Sequence, residues 1–165
     1  MAGVAITVRA AELPHVEAVL ARLLERNEDL HPLMDVIGQS LETSTDMRFE
    51  DERGPDGRPW KKSIRAEQQG GKTLTDSTRL RMSITHEATA DEVRVGTNVI
   101  YARPHQFGAK ISGKGGRLRF QLAGGLGFRS PESVIIPARP FLGVSTDDET
   151  EILALAEDYE AEGWE

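Results

Sequence analysis

The sequence predicts an α+β fold: a small antiparallel β-sheet with amphipathic helices packed on one face, plus a long Gly-rich arm or loop. Three observations predict it. Short segments of strict apolar/polar alternation, such as Val93-Arg94-Val95, read as half-buried strands. Longer segments place apolar residues at helical spacing, as in Leu33, Met34, Ile37 and Leu41. The two kinds do not alternate regularly along the chain, which argues against a doubly wound parallel sheet.

Taken in order, Val4, Ile6 and Val8 alternate with Ala5, Thr7 and Arg9 as a first strand. Leu13, Val16, Val19, Leu20, Leu23 and Leu24 follow helical spacing, with Pro14 acceptable in the first turn. A second helix starts near His31-Pro32 and reaches Phe49. Gly54-Pro55-Asp56-Gly57-Arg58-Pro59 is a run of turn formers, and Trp60 after it is expected to pin the loop to the core. Residues 61–71 are polar and read as a mobile segment. Thr75-Asp76-Ser77 reads as the cap of one helical turn through Leu80. Met82, Ile84 and His86, then Val93, Val95 and Thr97, form the two sides of a β-hairpin.

Two strings share a pattern: Tyr101-Ala102-Arg103-Pro104-His105-Gln106-Phe107-Gly108 and Ile136-Pro137-Ala138-Arg139-Pro140-Phe141-Leu142-Gly143. Proline fixes φ and removes a backbone donor, so the second string is neither helix interior nor central strand. Both read as packed rigid turns that mark an assembly surface, with no catalytic site between them. Between them lies the Gly-rich arm, about residues 108–132, in which Leu118, Phe120 and Leu122 alternate as one strand. A loop of that length in a compact domain is functional or disordered. Its few apolar residues cannot form their own core, so the arm is expected to order on a neighbouring subunit. Thr146-Asp147-Asp148-Glu149 reads as a capping box opening an acidic C-terminal helix, about residues 146–162.

The chain has 165 residues, which suits a single domain over residues 1–165. No run approaches the roughly 20 apolar residues of a membrane span. The N-terminus lacks the basic segment and apolar run of a secretory signal. There is no cysteine, which excludes disulfides and thiolate metal sites and fits a cytosolic origin. A net charge of −7 argues against a general nucleic-acid binder. That charge is unevenly placed. From Asp147 onward there are many carboxylates and no Lys or Arg, while Arg53, Arg58, Lys61, Lys62, Arg65, Lys72, Arg79 and Arg81 make the middle basic. Copies of such a chain can pair head-to-tail, closing a ring or growing a filament, although two ordinary solvated faces give the same pattern.

The chemical motifs are weak. Ala66-Glu67-Gln68-Gln69-Gly70-Gly71-Lys72-Thr73 resembles a phosphate-binding loop, but no buried strand precedes it. His15, His31, His86 and His105 have no metal-ligand spacing, and His105 beside Gln106 is more simply a structural histidine than a general base. No Gly-x-Ser-x-Gly elbow is present. Arg/Gly residues from Lys110 to Arg129 admit three roles: DNA contact, subunit clasp or disordered loop. The clasp is the reading we carry forward.

Phe49, Pro55-Asp56-Gly57…Trp60, Leu74-Thr75…Leu80, Val95-Gly96-Thr97, Tyr101-Ala102, His105-Gln106-Phe107-Gly108 and Ile136-Pro137-Ala138-Arg139-Pro140-Phe141-Leu142 occur in an order that resembles the Mu-type phage virion morphogenesis (tail-completion) family. The resemblance runs from about Leu33 to Tyr159. It implies a structural virion protein of a tailed phage or prophage, acting at the head–tail neck or the head-proximal tail end as a tail-terminator-like ring subunit. It implies no enzyme activity, catalytic residue, metal or cofactor. The implied partners are other copies in a hexameric ring and neighbouring neck and tail proteins, namely a head-completion protein and the tail tube. Genome DNA would pass through the lumen without specific binding, and no membrane is involved. Assembly would occur in the bacterial host cytoplasm. Residues 101–108 and 136–143 would hold the two ends of the arm. The subunit-interface candidates are then Tyr101, Arg103, His105, Gln106, Phe107, Arg117, Arg119, Phe120, Phe128, Arg139 and Phe141. Two alternatives compete: a small enzyme or nucleotide-dependent assembly factor using Lys72 or His105, and a DNA-contacting packaging accessory.

Overall fold

A computed structural model describes residues 3–9, 18–19, 22–23, 29–113, 116–121 and 127–162. Three strands form the central sheet: β1 (Val4–Arg9), β2 (Thr85–Ala88) and β3 (Glu92–Thr97), in the order β1-β3-β2, all antiparallel. The register sets Val8 and Ala88 beside Val93, and Ile6 and His86 beside Val95. Apolar side chains therefore line one face. Ala5, Thr7, Thr85, Glu87 and Arg94 line the other, as a period of two requires. The hairpin begins later than its alternation suggests. Met82 belongs to a 3₁₀ turn (Arg81–Ser83) and is 80% exposed, so the strand starts at Thr85.

The apolar face is covered by helix α1 (His31–Asp51), which touches both β2 and β3. Asp29 Oδ1 accepts from the His31 backbone N–H at 3.0 Å, and Pro32 sits in the first turn. Leu33, Met34, Ile37, Leu41, Thr45, Arg48 and Phe49 are buried, a stripe at i, i+3/4 spacing. Gly38 lies in that stripe because His86 lies against the helix there. A Cβ at Gly38 would stand 2.3 Å from the imidazole Cδ2. The helix ends on Glu52, a left-handed residue (φ 54) whose N–H returns to Arg48 O.

Of the predicted helix over Leu13–Leu24, Ala18, Val19, Arg22 and Leu23 are helical. Val19 and Leu23 are buried, four residues apart on one face. Leu13, Val16, Leu20 and Leu24 lie outside the described residues.

The polar segment 61–71 contains helix α2 (Ile64–Gln69), capped by Ser63 Oγ on the Ala66 N–H at 3.2 Å, where mobility had been expected. Thr75-Asp76-Ser77 caps nothing. That stretch is a series of turns with Thr78 at φ 57, leading into the 3₁₀ turn. Helix α3 (Ala102–Phe107) replaces the rigid turn expected at 101–108 and stops at Gly108. A side chain at Gly108 would force φ +74 on an L-residue and place Cβ 3.1 Å from Ala138 N.

Past α3 the chain forms a ribbon. Strand β4 (Ala109–Ser112) pairs with β7 (Ser133–Ile136), and β5 (Phe120–Gln121) pairs with β6 (Phe128–Arg129). Leu118 N–H donates to Pro131 O at 2.8 Å between the two pairs. The predicted strand Leu118–Leu122 is reduced to Phe120–Gln121, with Leu118 outside it and Leu122 outside the described residues.

The last helix, α4 (Thr146–Glu162), packs antiparallel on α1: Asp148 meets Arg48 near the end of α1, and Tyr159 Oη donates to Asp29 O near its start. Its cap lies one residue earlier than the predicted box. Ser145 Oγ accepts from the Asp148 N–H at 3.2 Å, and Asp148 Oδ2 accepts from the Ser145 N–H at 2.7 Å. The core joins these layers around Phe49, Phe141, Leu23, Met34, Ile37, Leu41, Ile152, Val93 and Val95. Each such side chain contributes about 1.5–3 kcal/mol of burial.

Candidate assembly surface

Residues 137–143 carry no regular secondary structure, yet Arg139, Phe141 and Leu142 are buried. A buried backbone outside a helix or sheet needs partners for its polar groups. Here they are side chains from three other segments. Trp60 Nε1 donates to Pro140 O at 2.9 Å. Arg48 donates to Phe141 O at 3.0 Å and to Gly143 O at 2.9 Å. Gln106 Nε2 donates to Leu142 O at 2.8 Å, while its Oε1 accepts from the N–H groups of Phe141 and Leu142, both at 3.0 Å. The Arg139 N–H donates to His105 O at 2.7 Å, and its guanidinium donates to Lys61 O at 2.7 Å and Lys62 O at 3.4 Å. Phe49 stands edge-on to Trp60 at 5.5 Å and packs on Phe141 at 5.4 Å. The strap is as fixed as a core strand.

This divides the predicted interface residues. Gln106, Arg139 and Phe141 are buried and engaged in contacts within the chain. Tyr101, Arg103, Phe107, Arg117, Arg119 and Phe128 are exposed, and Phe120 is half-buried. Phe107 and Phe128 are 65% and 62% exposed, and they are joined by Ile100 (76%) and Ile135 (75%), which the sequence reading did not single out. Ile100 directly precedes Tyr101, and Ile135 lies in β7. No strand residue of the ribbon is buried.

His105 is half-buried beneath Tyr101, ring centroids 6.3 Å apart. Its buried Nδ1 has no hydrogen-bond partner, and burial, with help from the Arg139 charge, pushes its pKa below the usual histidine value. Among the described residues none bonds to this ring. The Lys72 ammonium bonds to Glu50 O at 3.0 Å and pairs with the Glu50 carboxylate. The loop before it follows α2, not a strand, so the phosphate-loop reading lacks its scaffold. Among the described residues no group of three or more His, Asp or Glu is placed to hold a metal ion, and no helix is long and apolar enough to cross a membrane.

The basic middle of the chain is also partly consumed. Along α1 an acidic row, Asp35, Glu42, Asp46 and Glu50, flanks the buried stripe. His86 bridges Glu42 at 2.9 Å and Asp35 at 3.1 Å. Arg81 pairs with Asp46 and Glu50, and Lys72 shares Glu50. The carboxylates hold the His86 pKa above its usual value although burial pulls it down. Arg65 pairs with Asp76 at 3.4 Å, and Arg58 with Asp56 at 3.5 Å. What remains of the basic stretch is Arg53, Lys61, Lys62 and Arg79, all exposed and without an ion-pair partner among the described residues.

The model of the phage virion morphogenesis family matches residues 11–159. The chain belongs to the phage virion morphogenesis family. It is 35% identical over 154 residues to the Mu-like prophage FluMu G protein 2 of Haemophilus influenzae, a match spanning 93% of this chain and 95% of that one. No solved structure gives a significant match. As a member of the virion morphogenesis family, the protein has a role in phage virion assembly. Within the family match lie both the strap and the ribbon.

Proposed function

We propose that this protein is a non-catalytic structural subunit that completes the tail at its head-proximal end, assembling with its own copies into a hexameric ring in the neck of the virion. Its neighbours are a head-completion protein on one side and the tail tube on the other. The ring forms in the host cytoplasm and stays in the virion at the head–tail junction. One observation carries this reading. The ribbon β4–β7/β5–β6 has two two-stranded sheets with free outer edges among the described residues, and none of its strand residues is buried. An isolated two-stranded ribbon is marginal in water. Exposed Phe107, Ile111, Phe128 and Ile135 add apolar area that a neighbouring subunit would cover. The strap gives this ribbon a stiff base, so docking orders only the ribbon itself and loses less entropy. Genome DNA passes the lumen without being held: the exposed face of α4 carries Asp147 and Glu151, and carboxylates offer phosphate no cation to exchange.

The test removes residues 112–128 and closes the gap with a short Gly/Ser link. The variant should keep the wild-type circular dichroism and melt cooperatively, yet run as a monomer where the intact chain forms rings by native mass spectrometry. Intact rings from the shortened chain would remove the ribbon from the assembly mechanism.

A further inference from the structure

A cavity of about 550 Å³ lies where the base of the ribbon meets the strap and α2. Its walls are both apolar and cationic, with Ile64, Tyr101, Ile135 and Pro137 beside Lys61 and Lys62. Ile64, Tyr101 and Ile135 are 52%, 41% and 75% exposed, so the cavity offers apolar surface to an occupant. The backbone carbonyls of Lys61 and Lys62 accept from Arg139, which anchors the backbone from which the two side chains extend. Among the described residues neither ammonium has a carboxylate within ion-pairing distance. Arg139, buried behind them, and Arg65 add positive charge to the same wall, which Asp76 offsets in part. An acidic segment with an apolar side chain fits such a site.

The end of the chain is such a segment. The last turns of α4 expose Glu157 and Asp158, and the sequence continues Ala161-Glu162-Gly163-Trp164-Glu165 with no cation. It does not serve the cavity of its own subunit. Helix α4 runs back along α1, and Tyr159 reaches the start of α1 at Asp29, whereas the cavity sits by the segment that follows the end of α1. The 21 residues of α1 separate the two by about 30 Å.

We propose that the cavity beneath the ribbon is the docking site for the acidic end of a second copy of this chain, residues 157–165. The contact is heterologous: a face of one copy meets a different face of the next, which is the geometry that propagates around a ring. It rests on the self-assembly proposed above and adds a second contact to it. Charge complementarity selects the approach direction, and the apolar wall takes the tryptophan.

The natural absence of cysteine makes the test direct. Lys62→Cys and Asp158→Cys chains are prepared separately, mixed and mildly oxidised, with Asp91→Cys, exposed at the hairpin tip, in place of Asp158→Cys as the collision control. The Lys62/Asp158 mixture should form the mixed disulfide at least about tenfold faster than the Lys62/Asp91 mixture. Salt of roughly 1 M should erase most of that difference, because the attraction is between solvated charges. Equal rates in the two mixtures would overturn the docking. If rings form from the intact chain and rates are equal, the docking is wrong and the ring stands. If the fast disulfide appears in open chains of subunits with no closed ring, the docking stands and the ring does not.

Discussion

Gln106 satisfies both backbone groups of Leu142: its amide nitrogen donates to the Leu142 carbonyl at 2.8 Å, and its oxygen accepts from the Leu142 N–H at 3.0 Å. The same oxygen accepts from Phe141. Replacing Gln106 with leucine keeps the volume and leaves one carbonyl and two amides buried without partners. Each orphaned group costs about 1–3 kcal/mol, so Gln106→Leu should lower unfolding free energy by at least about 2 kcal/mol in urea titration. A loss below about 0.5 kcal/mol would mean that water replaces the side chain.

Arg48 should be the costliest polar position. It pairs with Asp148, with the two side chains 7% and 6% exposed, and donates to two strap carbonyls besides. Removing one partner of a buried pair costs about 3–5 kcal/mol. Arg48→Met should fall in that range, and Arg48→Met combined with Asp148→Asn should cost clearly less than the two single changes added. Strict additivity in that cycle would show that the two residues act independently.

His86 makes stability depend on pH. Burial alone would lower its pKa, but Glu42 and then Asp35 raise it above the ordinary 6.5. A group whose pKa rises on folding contributes fully below its unfolded value and loses the contribution as pH climbs through its folded value. The urea midpoint of the native chain should therefore fall as pH rises from 6.5 through the raised folded value. His86→Gln should flatten that slope. On the acid side, Asp35 is held below its usual value chiefly by the His86 hydrogen bond, so its share is present above its unfolded pKa and disappears as pH falls through the lowered one. A His86→Gln profile parallel to the native one would reject the assignment.

Gly38 should resist the usual benefit of alanine. In an open helix Gly→Ala gains about 1 kcal/mol. Here the added Cβ meets the His86 ring at 2.3 Å, so the ring must leave Glu42, Asp35 or both. Overpacking of this kind costs about 1–3 kcal/mol. Gly38→Ala should melt lower than the native chain and also lose part of the pH slope above. A higher melting temperature would show that the ring moves freely.

Much of the frame was legible in the chain. The first strand, the hairpin and α1 follow from local periodicity, because Val8, Val93, Val95, Leu33, Ile37 and Leu41 are all decided by one buried face. The prolines of residues 137–140 announced a segment outside helix and sheet. Other features depend on partners far away in sequence. Thr45 and Arg48 sit in the core stripe of α1, and no local pattern assigns an arginine there. Its partners in the strap and α4 lie 93–100 residues on. The cap of α4 shows the same limit. Ser145-x-x-Asp148 and Thr146-x-x-Glu149 overlap and look equivalent, and Arg48 selects Asp148. Among the interface candidates, Tyr101, Phe107 and Phe128 are exposed aromatics. Gln106, Arg139 and Phe141 read alike in sequence, and only the fold turns them inward.

The strap is held by residues 36, 80 and 93 positions away in the chain, and by nothing nearer than α3. A fragment ending before residue 137 holds the partners without the strap, so it has no partial version of that arrangement to fall back on. Non-local closure of this sort comes late in folding. The amide protons of Phe141 and Leu142, though in neither helix nor strand, should then exchange with deuterium only when the whole molecule opens, at the same slow rate as those of β3.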